Sequence, residues 1–381
     1  MIYFDNSATT KPYDDVLDTY VKVNRQFFGN PSSLHNFGGK SEQLLTRARE
    51  QIANLCNAKP AEIYFTSGGT EANNMAIKGA AMMHKGRGNH IISTVIEHPS
   101  VIESLEQLRE QGFEVTYVPV DQQGRVSVAD IEAALTDQTI LVSVMHVNNE
   151  IGSVQPIQTI GNMLKQYSKV LFHVDHVQGA GKINLDFQEA AIDLCSVSAH
   201  KFHGLKGTGF LYIREGVKIN PLLGGGNQEG KMRSGTENVA GIVAMARALR
   251  LTEEKRVHEM DNLELIRNCL YDELKQNQEI IVHTPMDAAP HIINFSVQRI
   301  KGEVLVHALE EEGIIISTTS ACSSKDQRPS KTLTAIGVSD QIAESAVRIS
   351  LSYENTLEEA KQFIERLDQV LQRLNHVMRR K

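Results

Sequence analysis

No apolar run in this sequence approaches the roughly 20 residues that cross a bilayer, and no basic segment followed by an apolar one stands near Met1. A membrane span and a secretory signal are therefore set aside, and a cytoplasmic location is the expectation. Basic residues are outnumbered: Lys and Arg total 39 against 46 Asp and Glu, a net charge of -7. A general nucleic-acid binder would show the opposite balance, so no direct nucleic-acid partner is expected. Cysteine is scarce. Cys56, Cys195, Cys269 and Cys322 are scattered without paired spacing, which argues against a disulfide framework or a zinc ribbon. Any cysteine with a role acts alone. There is no internal repeat and no low-complexity segment.

What is present is a chain of 381 residues, 41% hydrophobic and 22% charged, as in an ordinary globular protein with ample core. Between about residues 63 and 213 short apolar runs alternate with helical patterns. "EIYFTS", "HIISTV", "EVTYVPV", "TILVSVMHV", "KVLFHVD", "IDLCSVS" and "GFLYI" read as strands, several apolar almost throughout, as in strands covered on both faces. "TEANNMAIKGAAMMHKG" reads as a helix with Ala72, Met75, Ala76, Gly79 and Met83 on one face. The alternation predicts an α/β domain with a largely parallel sheet. A long helix is predicted from near Asn238 past Lys255, with a domain boundary inside it or near its end. Beyond it, strands at "EIIVHT", "HIINFSV", "GIIIS" and "VRISL" and two further helices predict a smaller α/β layer.

Four motifs fall at predicted strand ends, where α/β sheets bind ligands. "FTSGGTEANN" is a strand, a glycine turn and a helix, so Gly68, Gly69 and Thr70 would offer N–H groups and a hydroxyl to an anion. It lacks the lysine of a nucleotide-binding loop, and a plain capped turn would look the same. "HVDHVQ" puts His173 and Asp175 on one face and His176 on the other. A buried Asp175 needs a cationic partner or strong donors: a metal, with His173, His176, His200 and His203 as possible ligands, or equally a protonated ring nitrogen of a cofactor, and a structural carboxylate capping a helix would look the same. "SAHKFHGLKGTG" sets Lys201 at a strand end, whereas Lys206 sits between glycines as a turn residue. A lysine so placed can carry a depressed pKa and form an imine, although most lysines are solvated. Last, "STTSACSSKDQRPSK" sets Cys322 in a polar loop beside Lys325, Arg328 and Lys331, cations that favour a thiolate. Cys195 lies in an apolar strand and reads as inert core, and Cys56 and Cys269 as structural. An anion cradle, a carboxylate and an imine-capable lysine are what pyridoxal phosphate requires.

In order along the chain, "YFDNSATT", "GNPSSLH", "FTSGGTEANN", "EHPSV", "VNNEIGSVQPI", "HVDHVQGAGK", "SAHKFHG", "GGGNQE", "MRSGTEN", "SACSS" and "VRISLS" resemble the cysteine desulfurases of the class V aminotransferase-like group. The resemblance spans nearly the whole chain. It implies the aspartate-aminotransferase fold (fold type I), with a large, mostly parallel-sheet domain over residues 15–255. Residues 1–14 and 256–381 would form a smaller α/β domain carrying a mobile cysteine loop at about 317–333. It implies pyridoxal 5'-phosphate held through its aldehyde by Lys201, with Asp175 at the ring nitrogen and Gln178 at the ring hydroxyl. His98 would stack on the ring and shuttle protons. Gly69, Thr70, Ser198 and His200 would bind the phosphate, joined by Thr236 of the second subunit of a homodimer. Asn149 would lie near the cofactor hydroxyl and the substrate carboxylate, and Arg348 would grip that carboxylate. No metal is implied.

The activity implied is conversion of L-cysteine to L-alanine, with a persulfide on Cys322 passed to an acceptor protein. The distance from Cys322 to "VRISL" fits the long-loop subgroup, whose mobile cysteine serves protein acceptors, and the short segment after the last helix favours a tRNA-thiolating enzyme over an iron–sulfur scaffold. Three departures stand out: Leu205 replaces a usual proline, Glu229-Gly230-Lys231 replaces a usual Glu-Arg-Gly, and His176 replaces a small residue. The rival readings are a selenocysteine lyase or aminotransferase of the same fold, a metal-dependent hydrolase built on the histidines, and a non-catalytic sulfur-relay or scaffold protein.

Overall fold

Strands whose successive residues are all apolar must be covered on both faces, and they build the centre of the molecule. The computed structural model describes residues 1–318 and 330–379. Its largest sheet runs Ile63–Thr66, Gly209–Ile213, Leu194–Ser198, Leu171–Asp175, Thr139–Met145, His90–Thr94, Glu114–Val118. Gly209–Ile213 is antiparallel to both of its neighbours and the other pairings are parallel, so the expected largely parallel α/β sheet is present. Side chains alternate between two cores. Leu171, Leu194 and Leu211 pack under the helices Gly69–His84 and Pro99–Glu110. Phe172, Val174, Cys195, Val197, Phe210 and Tyr212 pack on the other side, under Asn36–Leu55 and the first half of Val239–Gln276. Each such fully buried side chain contributes roughly 1.5–3 kcal/mol. Met145, Asp175 and Ser196 are register partners, so these parallel strands end together and open one crevice.

The helix Gly69–His84 buries Ala72, Met75, Ala76 and Gly79 as their spacing predicts. Met83 is a correction: it is exposed, because the last turn instead docks His84, whose Nε2 lies 2.9 Å from the Lys218 carbonyl oxygen.

The helix Val239–Gln276 has 38 residues and spans about 57 Å. Ile242 to Leu249 belong to the core around the large sheet, and Leu263, Ile266, Leu270 and Leu274 to a second core. That second core lies on an antiparallel sheet ordered Ser317–Thr318, Ala346–Ser350, Ile292–Val297, Ile280–Val282. The helices Gly302–Glu311 and Leu357–Arg379 cover it. The run "GIIIS", expected as one strand, is two. Ile314–Ile315 pairs in parallel with Ile2–Tyr3, and the chain then changes partner so that Ser317–Thr318 pairs with Arg348 and Val347.

Glu229, in the unusual Glu-Gly-Lys stretch, has a function in the fold. Its carboxylate is buried and accepts from both terminal nitrogens of Arg49 (2.9 and 2.5 Å) and from the Phe65 amide at 2.9 Å. These bonds hold Glu229 at a φ of 47°, where a side chain is disfavoured. Arg49→Ala would strand that carboxylate without its cation. We expect a loss of about 3 kcal/mol, read as a lower urea midpoint, whereas an unchanged midpoint would make the pair ornamental.

Candidate active site

The crevice at the strand ends gathers most of the candidate residues. Gly68, at a φ of 145°, leads into the helix Gly69–His84, whose first turn no side chain caps. A Cβ on Gly69 would come within 2.7 Å of Val177 Cγ2, and one on Gly68 would come 3.5 Å from Ser198 Oγ. Glycine thus lets a bare helix N-terminus press against the ends of the strands Leu171–Asp175 and Leu194–Ser198, with Ser198 beside it. That is an anion cradle, since uncapped N–H groups and the helix dipole both favour negative charge. Thr70 is exposed at its lip.

Asp175 closes its strand and is buried. Its Oδ1 accepts from the Val177 amide at 3.0 Å and its Oδ2 from Asn73 Nδ2 at 2.7 Å. Gln178 Nε2 donates to the Ser7 carbonyl at 3.1 Å. Lys201 sits in the single turn Ala199–Lys201 directly after Leu194–Ser198. Its Nζ donates to the Ser7 carbonyl and, at 3.0 Å, to the Ala8 carbonyl. Gln178 and Lys201 therefore meet at the same backbone atom. Lys206 is exposed in a turn, as its glycine neighbours predict. His200 lies 3.3 Å from Thr9 Oγ1, and burial together with Lys201 and Lys206 pushes its ring pKa down to about 4. His98 caps the helix Pro99–Glu110, its Nδ1 accepting from the Ser100 amide at 3.1 Å. Burial lowers its pKa as well.

Arg348 is buried in the strand Ala346–Ser350, at the seam between the two cores. One terminal nitrogen donates to the Asn149 carbonyl at 2.7 Å, and the other to Ser317 Oγ at 2.9 Å and Asp5 Oδ1 at 3.2 Å. Among the described residues its Nε is buried with no partner, a donor that a carboxylate could satisfy. Asn149 contributes its backbone here. Arg348→Lys keeps the charge but loses the planar fork, and we expect KM for an amino-acid substrate to rise about 10- to 100-fold. Steady-state kinetics with KM unchanged would remove Arg348 from substrate binding.

Two candidates stand apart. Thr236 is exposed, three residues beyond Arg233, whose Nε pairs at 2.8 Å with Glu71 in the first turn of Gly69–His84. Cys322 lies outside the described residues. The residues flanking it are anchored: Ser317–Thr318 pairs with Arg348 and Val347, and Ser330 Oγ donates to the buried carboxylate of Glu150. The other three thiols are all shifted toward the protonated form. Burial raises Cys195 well above the ordinary value, Cys56 to about 12, and Cys269 in the same direction.

The histidines divide among separate partners. His173 lies 2.8 Å from Ser143 Oγ and 3.0 Å from Ser196 Oγ, His176 Nδ1 lies 2.8 Å from His146 Nδ1, and His203 Nδ1 lies 2.8 Å from the Lys11 carbonyl. Among the described residues no group of three or more His, Cys, Asp or Glu is placed to hold a metal ion. Sequence reasoning missed Asp5, Asn73 and Ser100. Asn73 had a signal: it is a polar residue on the helix stretch that otherwise buries Ala72, Met75 and Ala76. Asp5 had none beyond its place after a strand.

The Aminotransferase class-V family model matches residues 2–363. A NifS/IcsS protein homolog of Lactobacillus delbrueckii subsp. bulgaricus is 47% identical over 99% of this chain and 100% of its own. The cysteine desulfurase IscS of Dictyoglomus turgidum is 42% identical over 99% of this chain and 96% of its own. Among solved structures, a NifS-like protein superposes with a TM-score of 0.92 at 39% identity, covering 97% of this chain and 99% of that one.

Proposed function

The chain belongs to the class-V aminotransferase family and, within it, to the cysteine desulfurases, and from that premise we propose which of its residues turn L-cysteine into L-alanine. Enzymes of this family work with pyridoxal 5'-phosphate, which when bound supplies an aldehyde for amines and a ring that withdraws electrons from Cα. The donor set fits that group. Gly69, Thr70, Ser198 and His200 would hold its phosphate at the bare helix N-terminus, and Thr236 of the partner subunit would close the cradle. Asp175 would face its ring nitrogen, Gln178 and Asn149 its hydroxyl, His98 its ring, and Lys201 its aldehyde. The observation that carries this reading is the convergence of Lys201 and Gln178 on the Ser7 carbonyl, beside the strand end that carries Asp175.

Arg348 binds the carboxylate of L-cysteine with its Nε as the open donor, while Asn149, Ser317 and Asp5 orient its terminal nitrogens. The Lys201 amine, once released from the Ser7 and Ala8 carbonyls, takes the proton from Cα. The Asp175 carboxylate would face the protonated ring nitrogen and help keep its proton. The Cys322 thiolate then attacks the substrate sulfur: an S–S bond forms, the C–S bond breaks, and its electron pair stays on Cβ, which is protonated, while the proton held by Lys201 returns to Cα to give alanine. The enzyme thiol and L-cysteine become a persulfide and L-alanine, with no outside oxidant. Cys322 is favoured because burial shifts Cys56, Cys195 and Cys269 toward the protonated form.

The persulfide sulfur goes to an acceptor protein, for which we propose a tRNA-thiolating enzyme or an iron–sulfur scaffold. A homodimer is supported by the exposed Thr236 and by exposed Phe28, Leu34, Leu222 and Leu223. No described helix is long and apolar enough to cross a membrane, and we propose a cytoplasmic location, where thiols stay reduced. The test is alanine release from L-cysteine, with mass spectrometry of the protein. One extra sulfur on Cys322 is expected, and an adduct on another cysteine overturns the assignment.

A further inference from the structure

Two side chains with no part in the steps above connect two that have one. Asn73 Nδ2 donates to Asp175 Oδ2 at 2.7 Å and to Ser100 Oγ at 2.9 Å. Ser100 Oγ in turn lies 2.8 Å from His98 Nδ1, the atom that also accepts the Ser100 amide hydrogen at 3.1 Å. Hydrogen-bond chemistry fixes every direction in this chain. An ionised carboxylate only accepts, so Asn73 must turn its nitrogen toward Asp175. The second hydrogen of that nitrogen goes to Ser100 Oγ, which leaves the serine hydrogen for His98 Nδ1. Because Nδ1 already accepts a backbone N–H, it carries a lone pair, and the proton of the neutral ring is on Nε2. Asn73 and Ser100 are 1% and 8% exposed, so water does not compete for these bonds.

We propose that Asn73 and Ser100 are positioning residues that hold His98 in the Nε2–H tautomer and tie its orientation to Asp175. The proposal rests on the roles given above to His98 and Asp175. With Nδ1 engaged by two donors, the ring gains no proton there unless both bonds break. His98 then presents a fixed Nε2–H to the reacting atoms as a hydrogen-bond donor, and it takes up a further proton only when Nδ1 is released. Two charged groups face the ring from the packed elements: Asp175, ending the strand Leu171–Asp175, favours its charged form, and Lys201, after Leu194–Ser198, opposes it. These act in opposite senses, burial adds to the side of Lys201, and the two hydrogen bonds reinforce the neutral ring.

The experiment uses holoenzyme loaded with pyridoxal phosphate and labelled with 15N-histidine, with the His98 signals assigned by His98→Gln. Long-range proton–nitrogen correlation spectra should show the ring proton on Nε2 and a titration midpoint below that of an ordinary histidine. Ser100→Ala removes one donor and should raise the midpoint by about one pH unit, a tenfold change in the protonation equilibrium. Ser100→Thr keeps the hydroxyl and should restore it. Asn73→Ala frees the Ser100 hydroxyl to accept from a protonated Nδ1 and should raise the midpoint too. The kcat for alanine formation should fall about tenfold in both alanine variants with KM held within about twofold. A wild-type proton on Nδ1, or unchanged midpoints in both alanine variants, overturns the proposal. Failure of the wild-type protein to acquire visible cofactor absorbance counts instead against the Lys201 reading, and the His98 tautomer is read either way.

Discussion

Lys201→Ala will lower alanine formation from L-cysteine by at least about a thousandfold, because two steps depend on one amine. In the proposed reaction it is both the nitrogen that meets the cofactor aldehyde and the base that removes the Cα proton, and among the described residues of the crevice no other is proposed for both tasks. His98 lies nearby but is held neutral with Nδ1 occupied. Lys206 is exposed in a turn. Lys201→Arg is the sharper control, since a guanidinium keeps a positive charge but neither deprotonates nor forms the imine. It should be as inactive as the alanine variant. The denatured midpoint should move less than the activity in either, because Lys201 is only partly buried and its bonds to Ser7 and Ala8 are made to backbone carbonyls. Retention of a tenth or more of the activity by Lys201→Arg would assign the chemistry to another amine.

Cys322→Ser should be equally severe and fail at a different point. Substrate should still bind and still perturb the visible spectrum of the loaded protein, since Lys201, Asp175 and Arg348 are intact. Persulfide should be undetectable and catalytic alanine release should stop. None of the other thiols can substitute. With its pKa pushed up to about 12, Cys56 is a thiolate in only about one molecule in 10^5 at pH 7. Cys195 is buried in the core of the sheet, and burial and the acidic Glu273 shift Cys269 toward the protonated form. Sustained alanine release by Cys322→Ser, at more than a few per cent of wild type, would show that the sulfur leaves without this thiol.

Much of this arrangement was legible in the order of residues, for identifiable reasons. Strands such as Leu194–Ser198 announce themselves because a strand covered on both faces is apolar at every position. The glycine pair at 68 and 69 is equally plain, since a helix N-terminus can approach a neighbouring chain this closely only without side chains. Local pattern failed where the deciding partner is distant. Residues 313–317 look like one strand, but two different strands claim its halves. Met83 fits the helical period, yet it is exposed, and in the last turn His84 contacts Lys218 instead. Asp5 could not be read as an orienting group for Arg348 from its neighbours alone, because the contact is made across 343 positions.

That separation bears on how the protein is made. Residues 2–8 hold Arg348, Gln178 and Lys201 in place, yet Ile2 pairs with Ile314, the Ser7 amide donates to Ser350 Oγ at 2.8 Å, and Asn6 reaches Asn355. A ribosome exposes these residues some three hundred positions before their partners emerge. Until then Ile2 and Phe4 have no core to enter, since the second core is built almost wholly from residues after 260. The large sheet can assemble earlier, but a nascent chain halted short of Ser350 would have Lys201 without the segment that steadies it. Cofactor capture is therefore expected only near the end of synthesis, and a product truncated before Ser350 is expected to be unable to begin the chemistry.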